Sequence, residues 1–147
     1  MSASNALETA LLALMFNNTA CANFGDAGGL QPSSAPGSTQ LALSTGTLAD
    51  TDTLLTASET AYTTYARPTQ ARSAAGWTVS GNQVSNAALI TFGLDTVGAG
   101  VVAHSLGLGF IATGNVLALW AILTADLTIN PGVTPQFAIG SLIWNVD

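Results

Sequence analysis

Apolar residues in this chain follow two different periods. Near the start, Leu7, Leu11 and Leu14 recur at the i, i+4, i+7 spacing and predict a short helix over residues 5–16. Leu12, Met15 and Phe16 fall on its other faces. A helix that is apolar nearly all round is expected to be buried rather than laid on a wet surface. Asn5 can cap its first turn, with Glu8 three residues later completing a capping box and suiting the positive end of the helix dipole. Asn17-Asn18 ends it.

From residue 40 onward the period is two. Gln40–Thr45 reads as a strand with Leu41 and Leu43 on one face, and Tyr62–Pro68 and Thr69–Arg72 are strand-like. Trp77–Asn86 reads as a hairpin turning at Gly81-Asn82, which sets Val79 opposite Val84. Ala88–Phe92 continues as a strand. In Val101–Ile111, residues Val102, His104, Leu106, Leu108 and Phe110 share one face. Gly107 and Gly109 lie on the other, where a neighbouring backbone or subunit can come close. Val116–Leu123 is apolar on both faces and holds Trp120, which predicts a central strand or one in a subunit interface. Leu127–Ile129, the Asn130-Pro131-Gly132 turn and Ser141–Val146 complete the pattern. Residues 25–39, rich in Gly, Pro and Ser, read as a loop or extended arm, and residues 46–60 as a surface loop.

About eight short strands separated by Gly and Pro turns predict a mainly β fold. The expected layout is a single β-sandwich or jelly-roll-like domain over residues 40–147, preceded by an N-terminal helix and arm over residues 1–39. The absence of repeats and heptads argues against an elongated shaft.

Charge sharpens this picture. Only 7% of the 147 residues are charged, against roughly 25% in ordinary soluble proteins. There is no lysine, Arg67 and Arg72 are the only basic side chains, and the net charge is −6. Such a surface gives little protection against association. It suits a subunit hidden in an assembly or the neutral coat of a particle, and it points away from a free cytosolic enzyme. Nucleic acid is not an expected partner, because phosphate contacts need clustered cations. Nor is a membrane, since no stretch reaches the roughly 20 apolar residues needed to span one. Residues 6–16 and Ala20-Cys21-Ala22 imitate a signal peptide and its cleavage site, but without a positive leader they read as structure. Cys21 is the single cysteine, so no intramolecular disulfide is available, and with no cationic neighbour it reads as a plain buried thiol.

The residues that carry chemistry do not form a catalytic set. His104, the single histidine, has no local nucleophile or carboxylate and sits in the apolar register of its strand. It is expected in the core or an interface, where burial would make it a pH sensor. Asp50 and Asp52 resemble the start of a calcium loop but lack its further ligands, glycine and closing glutamate. One cysteine and one histidine cannot build a zinc site. Gly107-Leu108-Gly109 is too short for a phosphate loop. A polysaccharide-cleaving enzyme would need paired carboxylates, whereas these acids are scattered through loops. Tyr62, Tyr65, Trp77, Trp120 and Trp144 are dispersed and are expected to pack in cores. Arg67 and Arg72 are each expected to have a designated carboxylate, one within the subunit and one across an interface. No enzyme activity, cofactor or metal is expected.

Several segments are similar to a known family. Ser58–Arg67 (SETAYTTYAR), Arg72–Asn82 (RSAAGWTVSGN), Ser85–Ala88 through Phe92, and Asn130–Pro135 through Phe137 resemble small tailed-bacteriophage virion proteins. Met1–Thr9 and Phe24–Leu30 resemble them too, so the likeness spans nearly the whole chain. Ser44-Thr45 departs from the His-Thr pair found at that place in relatives. Family members are labelled capsid decoration, minor capsid or tail-fibre proteins, and the resemblance brings no catalytic residue.

The first function expected is a capsid decoration (cement) protein. It would sit on the outer capsid surface as a trimer, with the major capsid protein as partner, and stabilise the head through buried area. The alternative is a tail-fibre, neck or receptor-binding component of the virion, using loop 46–60 or 93–100. The arm is expected to clasp a neighbouring subunit. The expected interface residues are Leu7, Leu11, Phe16, Arg67, Arg72 and Trp120.

Overall fold

The structure is a computed structural model describing residues 3–22, 24–25, 28–111 and 114–146. Met1, Ser2, Asp26 and Ala27 of the resemblance above lie outside the described residues. The fold is mainly β. Among the described residues it has one helix, α1 (Asn5–Asn17), and nine strands: β1 (Ser38–Ser44), β2 (Thr69–Ala71), β3 (Trp77–Ser80), β4 (Gln83–Asn86), β5 (Ile90–Thr91), β6 (Val101–Phe110), β7 (Leu119–Ile129), β8 (Gln136–Phe137) and β9 (Ile143–Asn145). The chain divides into two compact units. One holds residues 1–37, 70–89 and 137–147, and the other holds residues 38–69 and 90–136. The helix and arm therefore group with the Trp77 hairpin and the C-terminal strand.

In the first unit, α1 begins one residue earlier than its sequence predicts. Ser4 is the N-cap, its hydroxyl accepting from Leu7 N–H at 3.4 Å. Asn18 ends the helix in the left-handed conformation (φ 53°), which Asn tolerates better than most residues. Leu12 and Phe16 are buried, and Leu7, Leu11, Leu14 and Met15 are half-buried. Beside the helix lies the sheet β3-β4-β9. Val79 pairs with Val84 and Ser80 with Gln83, so the turn falls at Gly81-Asn82 as expected, with Gly81 at φ 61°. The core is aromatic: Phe16 and Trp77 meet edge to face at 5.1 Å, and Trp77 and Trp144 at 5.8 Å. Asn86 is fully buried, yet its amide donates to Ala88 O and Ala138 O (2.8 Å each) and accepts from Leu142 N–H (3.0 Å). A buried amide satisfied on both sides specifies a backbone path without a desolvation penalty.

The arm folds onto its own unit. Cys21 and Leu30 exchange two backbone hydrogen bonds at 3.0 Å, and the Asn18 amide and the Ser33 backbone bond each other at 2.8 and 2.9 Å. The Arg72 guanidinium donates to Leu14 O, Met15 O and Pro36 O at 2.7–2.9 Å, tying the orphan carbonyls of the α1 C-terminus to the arm.

The second unit is built on an antiparallel ladder. Leu41 pairs with Leu108 and Leu43 with Leu106, and all four side chains are shut from solvent. The other side of β6 carries Gly107 and Gly109. A Cβ on Gly109 would lie 2.5 Å from Val116 O and 2.6 Å from Leu55 Cδ1. The close approach foreseen for these glycines is thus made by the chain's own segment 116–118 and loop 46–60. That loop is less superficial than its composition predicts. Leu48 and Leu55 are buried, and Leu48 N–H donates to the buried Ser105 hydroxyl, which donates in turn to Gly46 O. Residues 62–68 do not form a strand. Tyr65 N–H bonds Tyr62 O in a turn, Thr64 has φ 67°, and Tyr62, Tyr65 and Phe92 pack as an aromatic group.

Candidate assembly interface

β7 is the element whose placement differs most from its pattern. Its apolar run predicts cover on both faces. In the structure β7 follows β6 at the end of the sheet order, and no strand among the described residues pairs with its outer edge. β6 and β7 pair from Leu108↔Leu119 to Ser105↔Ile122 and again from Ala103↔Leu127 to Val101↔Ile129. Between these stretches β6 advances from Ala103 to Ser105 while β7 covers Leu127 to Ile122, so β7 bulges.

The first stretch and the residue after it, Leu119-Trp120-Ala121-Ile122-Leu123, contain neither a charge nor a proline. Ile122 is 56% exposed, and Leu119, Trp120, Ala121 and Leu123 are half-buried. Nearby in the same unit, Leu54 and Val116 form an isolated bridge, and each side chain is 47% exposed. Along an antiparallel edge, alternate N–H and C=O groups point away from the sheet. Such edges are ordinarily blunted by lysine, proline, inward charge or bulges. In this chain, which has no lysine, the bulge and Asp126 are the devices seen on β7, and they leave 119–123 unguarded.

The bulge also explains His104. It is not a core residue: its side chain is 39% exposed, and Nδ1 lies 2.6 Å from Asp126 Oδ1. The irregular ladder brings Asp126 of β7 beside it. The burial that a core placement required is not found.

Arg67 and Arg72 behave differently from one another. Arg67 is forked onto Glu59, with Nε to Oε1 at 2.7 Å and Nη2 to Oε2 at 2.6 Å, and both side chains are 17% exposed. Its Nη1 donates to Asn115 Oδ1 at 2.7 Å. The Tyr65 hydroxyl donates to Glu59 Oε1 at 2.9 Å and accepts from Leu43 N–H at 3.1 Å. Burial and this hydrogen bond to Glu59 push the Tyr65 phenol well above its ordinary range, and the Arg67 guanidinium is held more firmly protonated by Glu59. The carboxylate expected within the subunit is thus Glu59. The described hydrogen bonds of Arg72 run to backbone carbonyls of its own unit.

Of the other interface candidates, Phe16 is fully enclosed beside Trp77, Leu7 and Leu11 are half-buried on α1, and Trp120 stands on β7. Ile122, Leu54 and Val116 are not among the expected interface residues, although the apolar run Val116–Leu123 is a signal that points to Ile122. Cys21 is a buried free thiol. The described residues contain no group of three or more His, Cys, Asp or Glu placed to hold a metal ion, and no helix among them is long and apolar enough to cross a membrane.

Residues 2–145 match the family model described as podophage GP4 fiber I protein gp80. The chain belongs to this family. The fibre family is a phage virion family, and the match covers both compact units and β7 with them. No curated protein matches the chain.

Proposed function

We propose that the chain is a non-enzymatic structural subunit of a phage fibre, working by self-association through β7 and by attachment to the rest of the virion. The observation that carries this reading is the uncharged edge 119–123, on which Ile122 is exposed. An edge of this kind is a template for another strand. The occupant we assign to it is a second copy. Copies that each carry −6 repel one another over most of their surface, and the uncharged edge is where approach meets least opposition. The fibre name of the family supports the tail reading over head decoration, which takes second place.

The test is the mass of the purified chain in solution, by light scattering or sedimentation. An oligomer, with a trimer as the expected stoichiometry, should form, and Ile122→Lys should shift it toward monomer without unfolding it. A wild-type chain that stays monomeric at tens of micromolar would sink the proposal. Counting copies per virion separates fibre from head: a handful fits a fibre, and hundreds fit decoration of a shell.

A further inference from the structure

Asp95 lies in a segment tied down from two sides. On one side, Phe92 N–H donates to Pro135 O at 3.0 Å, Asp95 N–H to Val133 O at 3.0 Å, and Gly132 N–H to Asp95 O at 2.8 Å. On the other side three successive hydroxyls reach the same segment: Tyr62 donates to Gly93 O at 3.0 Å, Thr63 to Val97 O at 3.2 Å, and Thr64 to Leu94 O. Within it the Asp95 side chain is buried at 1% exposure, and neither carboxylate oxygen has a hydrogen-bond partner among the described residues.

That arrangement is costly for a bare carboxylate, because a buried charge needs a countercharge or hydrogen-bond donors. The three hydroxyls that reach the segment, and the Gly132 N–H, are already engaged elsewhere. Each of the three hydroxyls spends its single hydrogen on a backbone carbonyl, and the Gly132 N–H is spent on the Asp95 carbonyl. None of these four donors has a hydrogen left for the carboxylate. Tyr62 is close enough to feel the charge: burial first, and then Asp95, push its phenol up to about 12.

We propose that Asp95 is the anionic ligand of a cation site that locks segment 92–97 against residues 132–135. A buried carboxylate without a hydrogen-bond donor suits a hard, oxygen-seeking cation. Sodium and calcium share that chemistry. Magnesium fits poorly, since it gives up its waters reluctantly and a closed site leaves little room for them.

The experiment is thermal unfolding of the full chain, stripped with chelator and held at pH 7.5 in tetramethylammonium chloride at fixed ionic strength. CaCl2, NaCl and MgCl2 are then exchanged in separately. A saturable rise in Tm of about 5 °C is expected with calcium or sodium, and the arm that responds identifies the ion. Asp95→Asn should lose that response. Wild-type Tm unmoved by either cation overturns the proposal, and so does an Asp95→Asn variant that responds as wild type does. Should Asp95→Asn fail to fold, the wild-type titration still decides, and Tyr62→Phe, which keeps the carboxylate, should retain a cation response.

Discussion

The titration of the two tyrosines is set by their surroundings and can be read directly. Tyr62 is raised from 10.0 to about 12, by burial first and then by Asp95. Tyr65 is raised further, by burial first and then by the hydrogen bond it donates to Glu59. For a group whose folded value exceeds its free value, the stabilisation is complete below the free value and is lost as pH rises through the folded one. Both phenols should therefore stay protonated at pH 11 while the chain is folded. Tyr62 and Tyr65 are the only tyrosines, so the rise in absorbance at 295 nm on phenol ionisation reports these two. A native protein half-ionised near pH 10 would contradict the packing of Tyr62, Tyr65 and Phe92. The fork between Arg67 and Glu59 gives a second prediction. Removing one partner of a largely buried pair leaves the other uncompensated, so Arg67→Ala should cost about 3 kcal/mol. Arg67→Lys should recover only part of it, since an ammonium cannot bond both carboxylate oxygens in plane. Urea midpoints at an unchanged slope would measure both.

At the scale of elements, what was legible in the sequence was local. The Trp77–Asn86 hairpin was placed to the residue pair because two residues, Gly81-Asn82, decide its turn. The helix was found from its leucines, and its cap was missed by one residue because Ser4 and Asn5 are both good caps. Glu59 and Arg67 were not legible as a pair, because their meeting depends on the tight turn at 62–65, with Thr64 at φ 67°. Loop 46–60 hid Leu48 and Leu55 among threonines and acids. β7 shows the deeper limit: apolar residues announce that a strand wants cover, but not whether the cover comes from its own chain. Gly107 and Gly109 are the converse case, where a predicted close approach proved to be internal. Gly109→Ala should therefore destabilise the second unit by about 2–3 kcal/mol, because the new methyl meets the Val116 carbonyl rather than open space. Gly81→Asn, at a turn with nothing near its missing Cβ, should stay within about 0.5 kcal/mol. Equal losses at the two glycines, by thermal or urea unfolding, would mean that the 116–118 segment does not cover β6.

For the whole molecule, charge and edge pull in opposite directions, and the balance has a measurable sign. A net charge of −6 with no lysine makes like copies repel at neutral pH. The proposed contact at 119–123 is apolar and uncharged, so it gains nothing from ion pairs that salt could weaken. Salt screens the long-range repulsion over a Debye length of roughly 10 Å at 0.1 M, and it leaves apolar burial intact or strengthens it. Self-association should therefore tighten as NaCl rises from about 20 to 500 mM, a range over which the Debye length falls several-fold. An assembly held by cross-subunit arginine pairs would loosen over the same range. The two mechanisms thus give slopes of opposite sign in one sedimentation series. Ile122→Lys separates them further: it places a cation on an edge that has none, so it should weaken association at every salt concentration while lowering the net negative charge. If that variant instead associates more tightly than wild type, repulsion is the controlling term and β7 is not the contact.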